Sequence, residues 1–155
     1  MPTDVFIDTN ILLYAASNGK SEPEKTRLAR RLLRERRWWV SVQVVQEFHV
    51  NATRKIALGI SSRHAARVID GLLERIVVET TRELFVRAVV LQNRFYLSYW
   101  DAAVCQAAID AGCWILFSED MANEEIYDRV MVLNPFADDG RWITEDPPRI
   151  GRLER

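Results

Sequence analysis

A chain of 155 residues suits a single domain, and its 48% hydrophobic content is enough for a sizeable core. The formal net charge of −1 does not announce a nucleic-acid binder, so any such role must rest on local groups. No window approaches the roughly 20 apolar residues of a membrane span, and Met1-Pro2-Thr3-Asp4 has neither the basic region nor the apolar stretch of a signal peptide. The expectation is a cytoplasmic protein with no membrane partner.

Val5-Phe6-Ile7 is a continuous apolar run, the mark of a parallel strand buried on both faces. Asn10 to Ala16 reads as a short helix with Ile11, Leu12 and Leu13 mostly buried, and Ser17-Asn18-Gly19 breaks it. Ser21-Glu22-Pro23-Glu24 opens a second helix, with Ser21 and Glu24 as a capping box. Leu28, Leu32 and Leu33 give it an apolar face, and Arg27, Arg30, Arg31 and Arg34 crowd the rest. That Arg-rich stretch reads as a solvated face, an RNA backbone track or a partner surface. All positive side chains but Lys20, Lys25 and Lys55 are Arg, the better planar phosphate clamp, although a GC-rich coding sequence explains the same bias.

Trp38-Trp39-Val40 is the next strand, after which Ser41 caps a helix from about Val42 to Leu58, ended by Gly59. Ser61 or Ser62 caps another, with Ala65, Val68, Ile69, Leu72 and Leu73 at helical spacing. Ile76-Val77-Val78 is a strand. Thr80 and Glu83 form a capping box for a long helix through Phe95, and Ser98 with Asp101 forms a third box for a helix that stops at Gly112. Trp114 to Phe117 and Val130 to Leu133 are the last strands. Strands alternating with helices predict an α/β domain with a mainly parallel sheet and helices on both faces. The domain is expected over residues 1–137. The tail from Asp138 to residue 155 is loosely ordered or docks through Trp142 and Ile143.

Four acids fall where such a fold would gather them at one sheet edge: Asp8 after the first strand, Glu47 one turn into a helix, Asp101 in a first helical turn, and Asp120 after a late strand. Four carboxylates at one spot repel one another unless a cation sits among them. An all-oxygen set with no Cys or His pair suits Mg²⁺ or Mn²⁺ rather than zinc. Such an ion can activate a water and neutralise charge on a phosphodiester. Each acid also has a plainer reading. Asp101 is a good residue for a helix N-terminus, Glu47 a solvent-facing helical residue, Asp8 a turn residue, and Glu119 competes with Asp120. Thr9, Asn10 and Ser118 are placed to orient the acids, Asn10 being equally able to cap a helix. Asn123, one turn past Asp120, is a more distant candidate.

Asp8-Thr9-Asn10, a mid-chain helical Glu47, Asp101-Ala102-Ala103 and Ser118-Glu119-Asp120, in this order from about Val5 to Phe136, resemble the PIN-domain ribonucleases. The layout is most similar to the VapC-type toxins of toxin–antitoxin pairs. The resemblance implies a three-layer α/β/α domain and metal-dependent endoribonuclease activity on RNA that leaves a 5′-phosphate. It implies Asp8, Glu47, Asp101 and Asp120 as both catalytic and metal-holding residues, with Mg²⁺ or Mn²⁺ as the ion. It also implies an antitoxin protein as partner and a homodimer. The antitoxin is expected to lay a basic side chain over the acids, with Ile11, Leu12 and Tyr14 as anchors if exposed.

Three alternatives stay open. A haloacid-dehalogenase-type phosphatase wants a second Asp two residues after Asp8, where Asn10 stands, and a receiver domain wants a Lys near the last strand, where Val130 to Pro135 has none. A PIN-like RNA-binding or scaffold domain without activity is the third. His49 and His64 are expected at the surface, Cys105 and Cys113 as reduced core residues. Tyr99 and Trp100 are candidates to stack on an RNA base, with the core the expected place for Trp100.

Overall fold

β1 (Val5–Ile7) is the hub of the molecule: its three side chains are fully buried, and it pairs in parallel with β2 (Trp38–Ser41) on one side and β4 (Ile115–Phe117) on the other. In the computed structural model, which describes residues 2–149, the sheet order is β3-β2-β1-β4-β6-β5. β3 (Ile76–Val78) pairs in parallel with β2, and β6 (Val130–Leu133) with β4. Only β5 (Ile126–Tyr127) runs antiparallel, against β6. A fully buried parallel strand needs cover on both faces. α1 (Thr9–Ala16) packs on α2 (Pro23–Glu35) and α3 (Val42–Ala52), α3 packs on α4 (Ser62–Leu73), and α5 (Arg82–Phe95) packs on α6 (Tyr99–Asp110). The result is the expected three-layer α/β/α arrangement.

The chain builds outward from β1 to β2 and β3, then crosses to the far side of β1 to lay down β4. Between β1 and β4 the loops therefore leave in opposite directions and open a crevice at the strands' carboxyl ends. The ladder continues past both strand ends: the Asp8 N–H donates to the Phe117 carbonyl at 3.0 Å, and the Ser118 N–H to the Leu133 carbonyl at 3.0 Å. Residues 8 and 118 are thus held in register at the crevice by backbone bonds.

Several boundaries differ from expectation. The helix expected over Val42 to Leu58 stops at Ala52, and a separate 3₁₀ turn covers Ile56–Leu58. The Asn51 side chain donates to the Glu47 carbonyl at 2.8 Å, a local bond that competes with continuing the helix. Gly59 ends the 3₁₀ turn at φ +64°, where a Cβ would lie 2.0 Å from the Asn18 side-chain nitrogen. The cap of α5 is Thr81 rather than Thr80: its hydroxyl accepts from the Leu84 N–H at 3.1 Å. α2 starts at Pro23 without a side-chain cap, since Glu24 pairs with Arg27 instead of closing a box with Ser21. β4 begins at Ile115, not Trp114, and β5 was not foreseen, being two residues long and closed by Asp128 at φ +56°.

The tail docks. Ile143 is fully buried, Trp142 partly so, and Asp146 accepts from both the Arg36 guanidinium at 2.7 Å and the Thr3 N–H at 3.0 Å. Residues 150–155 of the expected tail lie outside the described residues. Cys105 and Cys113 are free and buried, which pushes the Cys113 thiol up to about 12 and the Cys105 thiol up as well. His49 and His64 are exposed.

Candidate active site

The crevice collects its polar side chains because β1 and β4 both end there, and the chain turns sharply after each strand. Asp8 is the N-cap of α1, its Oδ1 accepting from the Thr9 N–H at 2.8 Å. Asn10 is therefore not the cap, as its spacing had allowed, and its side chain is free for the crevice. Asp8 Oδ2 accepts from the Ser118 hydroxyl at 2.7 Å and from the Asn10 amide at 3.3 Å. The same Asn10 nitrogen donates to Asp120 Oδ2 at 2.9 Å, so one amide ties together two carboxylates that stand 112 residues apart in sequence. The Asn10 carbonyl accepts from the Glu119 N–H at 3.2 Å, and the Ser118 hydroxyl accepts from the Asp120 N–H at 3.2 Å. Both bonds fix the turn that carries Asp120.

Glu47 reaches the crevice from α3. Its Oε2 accepts from the Thr9 hydroxyl at 3.0 Å and its Oε1 from the Gln43 amide at 3.0 Å. Asp101 stands in the first turn of α6, where the Ser98 hydroxyl caps its N–H at 3.1 Å. Its helix-terminus reading and its place near the crevice are both satisfied, because the charges of Asp120 and Glu47 reach it there.

Burial and charge act on these acids in one direction. Asp8 is raised to about 6, mainly by burial and also by Glu47 and Asp120, against the lowering bonds from Ser118 and Thr9. Asp101 is raised above the usual carboxylate range by burial first, then by Asp120 and Glu47. Asp8 and Asp101, raised first by burial and further by the charges of Glu47 and Asp120, are groups whose ionised form a hard cation would favour. Among the described residues, no three Asp, Glu, His or Cys side chains converge closely enough, as they lie, to coordinate a single ion. The donor set nevertheless fits a hard divalent ion in kind, being oxygen throughout.

Glu119 and Asp120 part company: Glu119 pairs with Lys25, whose ammonium also lies over the Tyr14 and Phe136 rings, while Asp120 faces Asn10. Asn123 is not at the crevice. Its side chain accepts from the Asn134 N–H at 2.8 Å and holds the turn before β5 against the end of β6. Ile11 and Leu12 are buried and offer no anchor to a partner, whereas Tyr14 is partly exposed. On the Arg-rich helix Arg30 donates to the carbonyls of Ala15 and Ser17 and Arg27 pairs with Glu24 of the same helix, while Arg27 and Arg34 are exposed; Arg36, just past the helix, is buried. Trp100 is 63% exposed rather than in the core. Gln43 was missed: it is buried, and its amide also donates to the Trp100 carbonyl at 3.4 Å. Its place one helical turn before Glu47 was the available signal.

The model of the PIN domain family matches residues 5–128. The chain belongs to the PIN-domain family. The match places it apart from the phosphatase and receiver architectures. Solved structures of similar fold include a VapC toxin and toxin–antitoxin complexes. One is the crystal structure of Mycobacterium tuberculosis VapC20, a sarcin-ricin loop cleaving toxin, at 20% identity and TM-score 0.60, covering 75% of this chain and 91% of that one. A toxin–antitoxin complex from Klebsiella pneumoniae aligns at 19% identity and TM-score 0.59, covering 84% and 97%. VapBC2 from Rickettsia felis, bound to a DNA fragment from its promoter, aligns at 14% identity and TM-score 0.58, covering 85% and 98%. No curated protein matches the chain significantly. Among the described residues, no helix of this PIN domain is long and apolar enough to cross a membrane.

Proposed function

We propose that this PIN domain is a metal-dependent endoribonuclease and the toxin of a toxin–antitoxin pair. The observation that carries the reading is the Asn10 amide joining Asp8 and Asp120 in the crevice between β1 and β4, with Glu47 close enough for its charge to act on both Asp8 and Asp101. Family membership and the similar toxin structures support it.

Asp8, Glu47, Asp101 and Asp120 are the residues that would hold Mg²⁺ or Mn²⁺, which supplies Lewis-acid polarisation of a phosphoryl oxygen and of an attacking water. The chain's own contribution is preorganisation. Ser118 and Asn10 fix Asp8, Thr9 and Gln43 fix both oxygens of Glu47, and the Ser98 cap fixes the backbone under Asp101. With its pKa near 6, Asp8 is mostly ionised at neutral pH and so available as an anionic ligand. No covalent enzyme intermediate is needed.

The partners belong to the same proposal: an RNA substrate, a cytoplasmic setting, a second copy of the chain, and an antitoxin that covers the acids with a basic side chain. The test is to incubate purified protein with mixed RNA and Mg²⁺. Cleavage with a 5′-phosphate on the downstream product is expected, abolished by EDTA and reduced at least about 100-fold by Asp8→Asn or Asp120→Asn with an unchanged circular dichroism spectrum. Full activity in excess EDTA overturns the mechanism. The toxin assignment fails if the active chain, expressed alone at high level, leaves growth unaffected.

A further inference from the structure

Beside the acids lies a groove of another character. Gln43, Gln46, Glu47, Val50 and Asn51 of α3 and Trp100 of α6 line an open hollow of about 390 Å³. Trp100 is the largest side chain in it and is mostly exposed, although large aromatic rings are usually well buried. It is nonetheless held in place. Its ring meets Tyr99 edge-on with centroids 5.0 Å apart, Tyr99 in turn lies 5.7 Å from the Phe85 ring, and Gln43 bonds the Trp100 carbonyl. An aromatic that is fixed by neighbours yet open to solvent has already lost the freedom that stacking would remove.

The rest of the lining is amide. Gln46 offers both donors and acceptors, while Asn51 spends one N–H on the Glu47 carbonyl, which leaves its other N–H and its oxygen. Among the described residues no Lys or Arg lines the groove and Glu47 is its only charge, so it does not suit a phosphate. A flat, uncharged, hydrogen-bonding group suits it. Among the described residues that line the groove, Val50 is the one apolar side chain beside Trp100, too little for an apolar protein helix. Through Glu47 the groove runs directly into the carboxylate cluster.

Resting on the ribonuclease reading, we propose that Trp100 is the stacking platform for one unpaired base of the RNA next to the cleaved phosphate, with Gln46 and Asn51 reading its edge. A duplex hides its base faces within the stack, so the groove selects single-stranded or looped RNA.

The test compares wild type, Trp100→Ala and Trp100→Phe on a mixed-sequence single-stranded oligoribonucleotide and on its duplex. Stacking predicts that Trp100→Ala raises KM about 5- to 100-fold on the single strand with kcat nearly unchanged, and that Trp100→Phe stays near wild type. It also predicts that the oligoribonucleotide quenches a part of the tryptophan fluorescence that is missing from Trp100→Ala. If wild type cleaves RNA and Trp100→Ala leaves both KM and quenching unchanged, the subsite is wrong. If Trp100→Ala splits a dimer at unchanged KM, the groove belongs to a second copy and the proposal is equally overturned. If wild type cleaves nothing, the ribonuclease reading fails, and quenching by single strand but not duplex decides the subsite alone.

Discussion

Asn10 donates to Asp120 across the crevice at 2.9 Å while its carbonyl accepts from the neighbouring Glu119 N–H. Both ends of one small amide therefore clasp the turn after β4, and the nitrogen also reaches Asp8. Asn10→Ala is expected to lower RNA cleavage about 10- to 100-fold and to raise the Mg²⁺ concentration needed for half-maximal rate, since supporting bonds to metal ligands carry effects of that size. Titrating Mg²⁺ against initial rate measures it. An unchanged metal requirement would reduce Asn10 to a structural clasp.

Asp8 sets a pH dependence for the metal-free protein. Its folded pKa of about 6 stands above the unfolded value near 3.8, so its contribution favours the fold fully below about pH 4 and is lost as pH rises through 6. Asp8→Asn removes that loss. In EDTA, the variant's melting temperature should gain on wild type between pH 4 and 7, by an amount on the order of 2–3 kcal/mol in stability. A constant difference across that range would show that Asp8 is not raised. Saturating Mg²⁺ should stabilise wild type more than the variant.

Gln43 links Glu47 to the Trp100 backbone, and so α3 to α6. Gln43→Ala should lower cleavage roughly 10-fold. Combined with Glu47→Gln it should cost less than the product of the two single effects, because both act on one carboxylate. Multiplying effects in the double-mutant cycle would mean the two residues act separately.

The tail carries a stability prediction. The Arg36 side chain is fully buried over the Phe117 ring, pairs with Asp146, and finds no acceptor for Nε or Nη1 among the described residues. Asp146→Ala strands the buried cation and should lower stability by about 3 kcal/mol, whereas Arg36→Met with Asp146→Ala should recover most of it. Urea denaturation midpoints of the single and double variants measure both values. Equal losses in the two would point to Asp146 acting on Thr3 alone.

Much of this was legible in the chain. Val5-Phe6-Ile7 and Val130 to Leu133 read as buried strands because an unbroken apolar run has few other homes, and Ser41, Ser61 and Ser98 cap as their spacing indicates. Asp8, Asn10, Ser118 and Asp120 were legible as a group only through the strand ends they follow. Tertiary partners decided the rest. Trp100 looks like core in sequence, and nothing local says that Tyr99 and Phe85 prop it at the surface. The end of α3 hinged on a side chain bonding its own backbone, and β5 on a two-residue pairing too short to leave a pattern.

The crossing from β3 to β4 also orders events in time. During synthesis from the N-terminus, Asp8, Asn10 and Glu47 are made early, but their opposite wall at Ser118 and Asp120 is not yet in the chain. Only when β4 slides in beside β1, a pairing between residues about 110 positions apart, does the crevice close. A nascent chain that has not yet reached β4 therefore has no finished cleft. If the finished cleft cuts RNA, the polypeptide is harmless to the machine making it until its last strands are out.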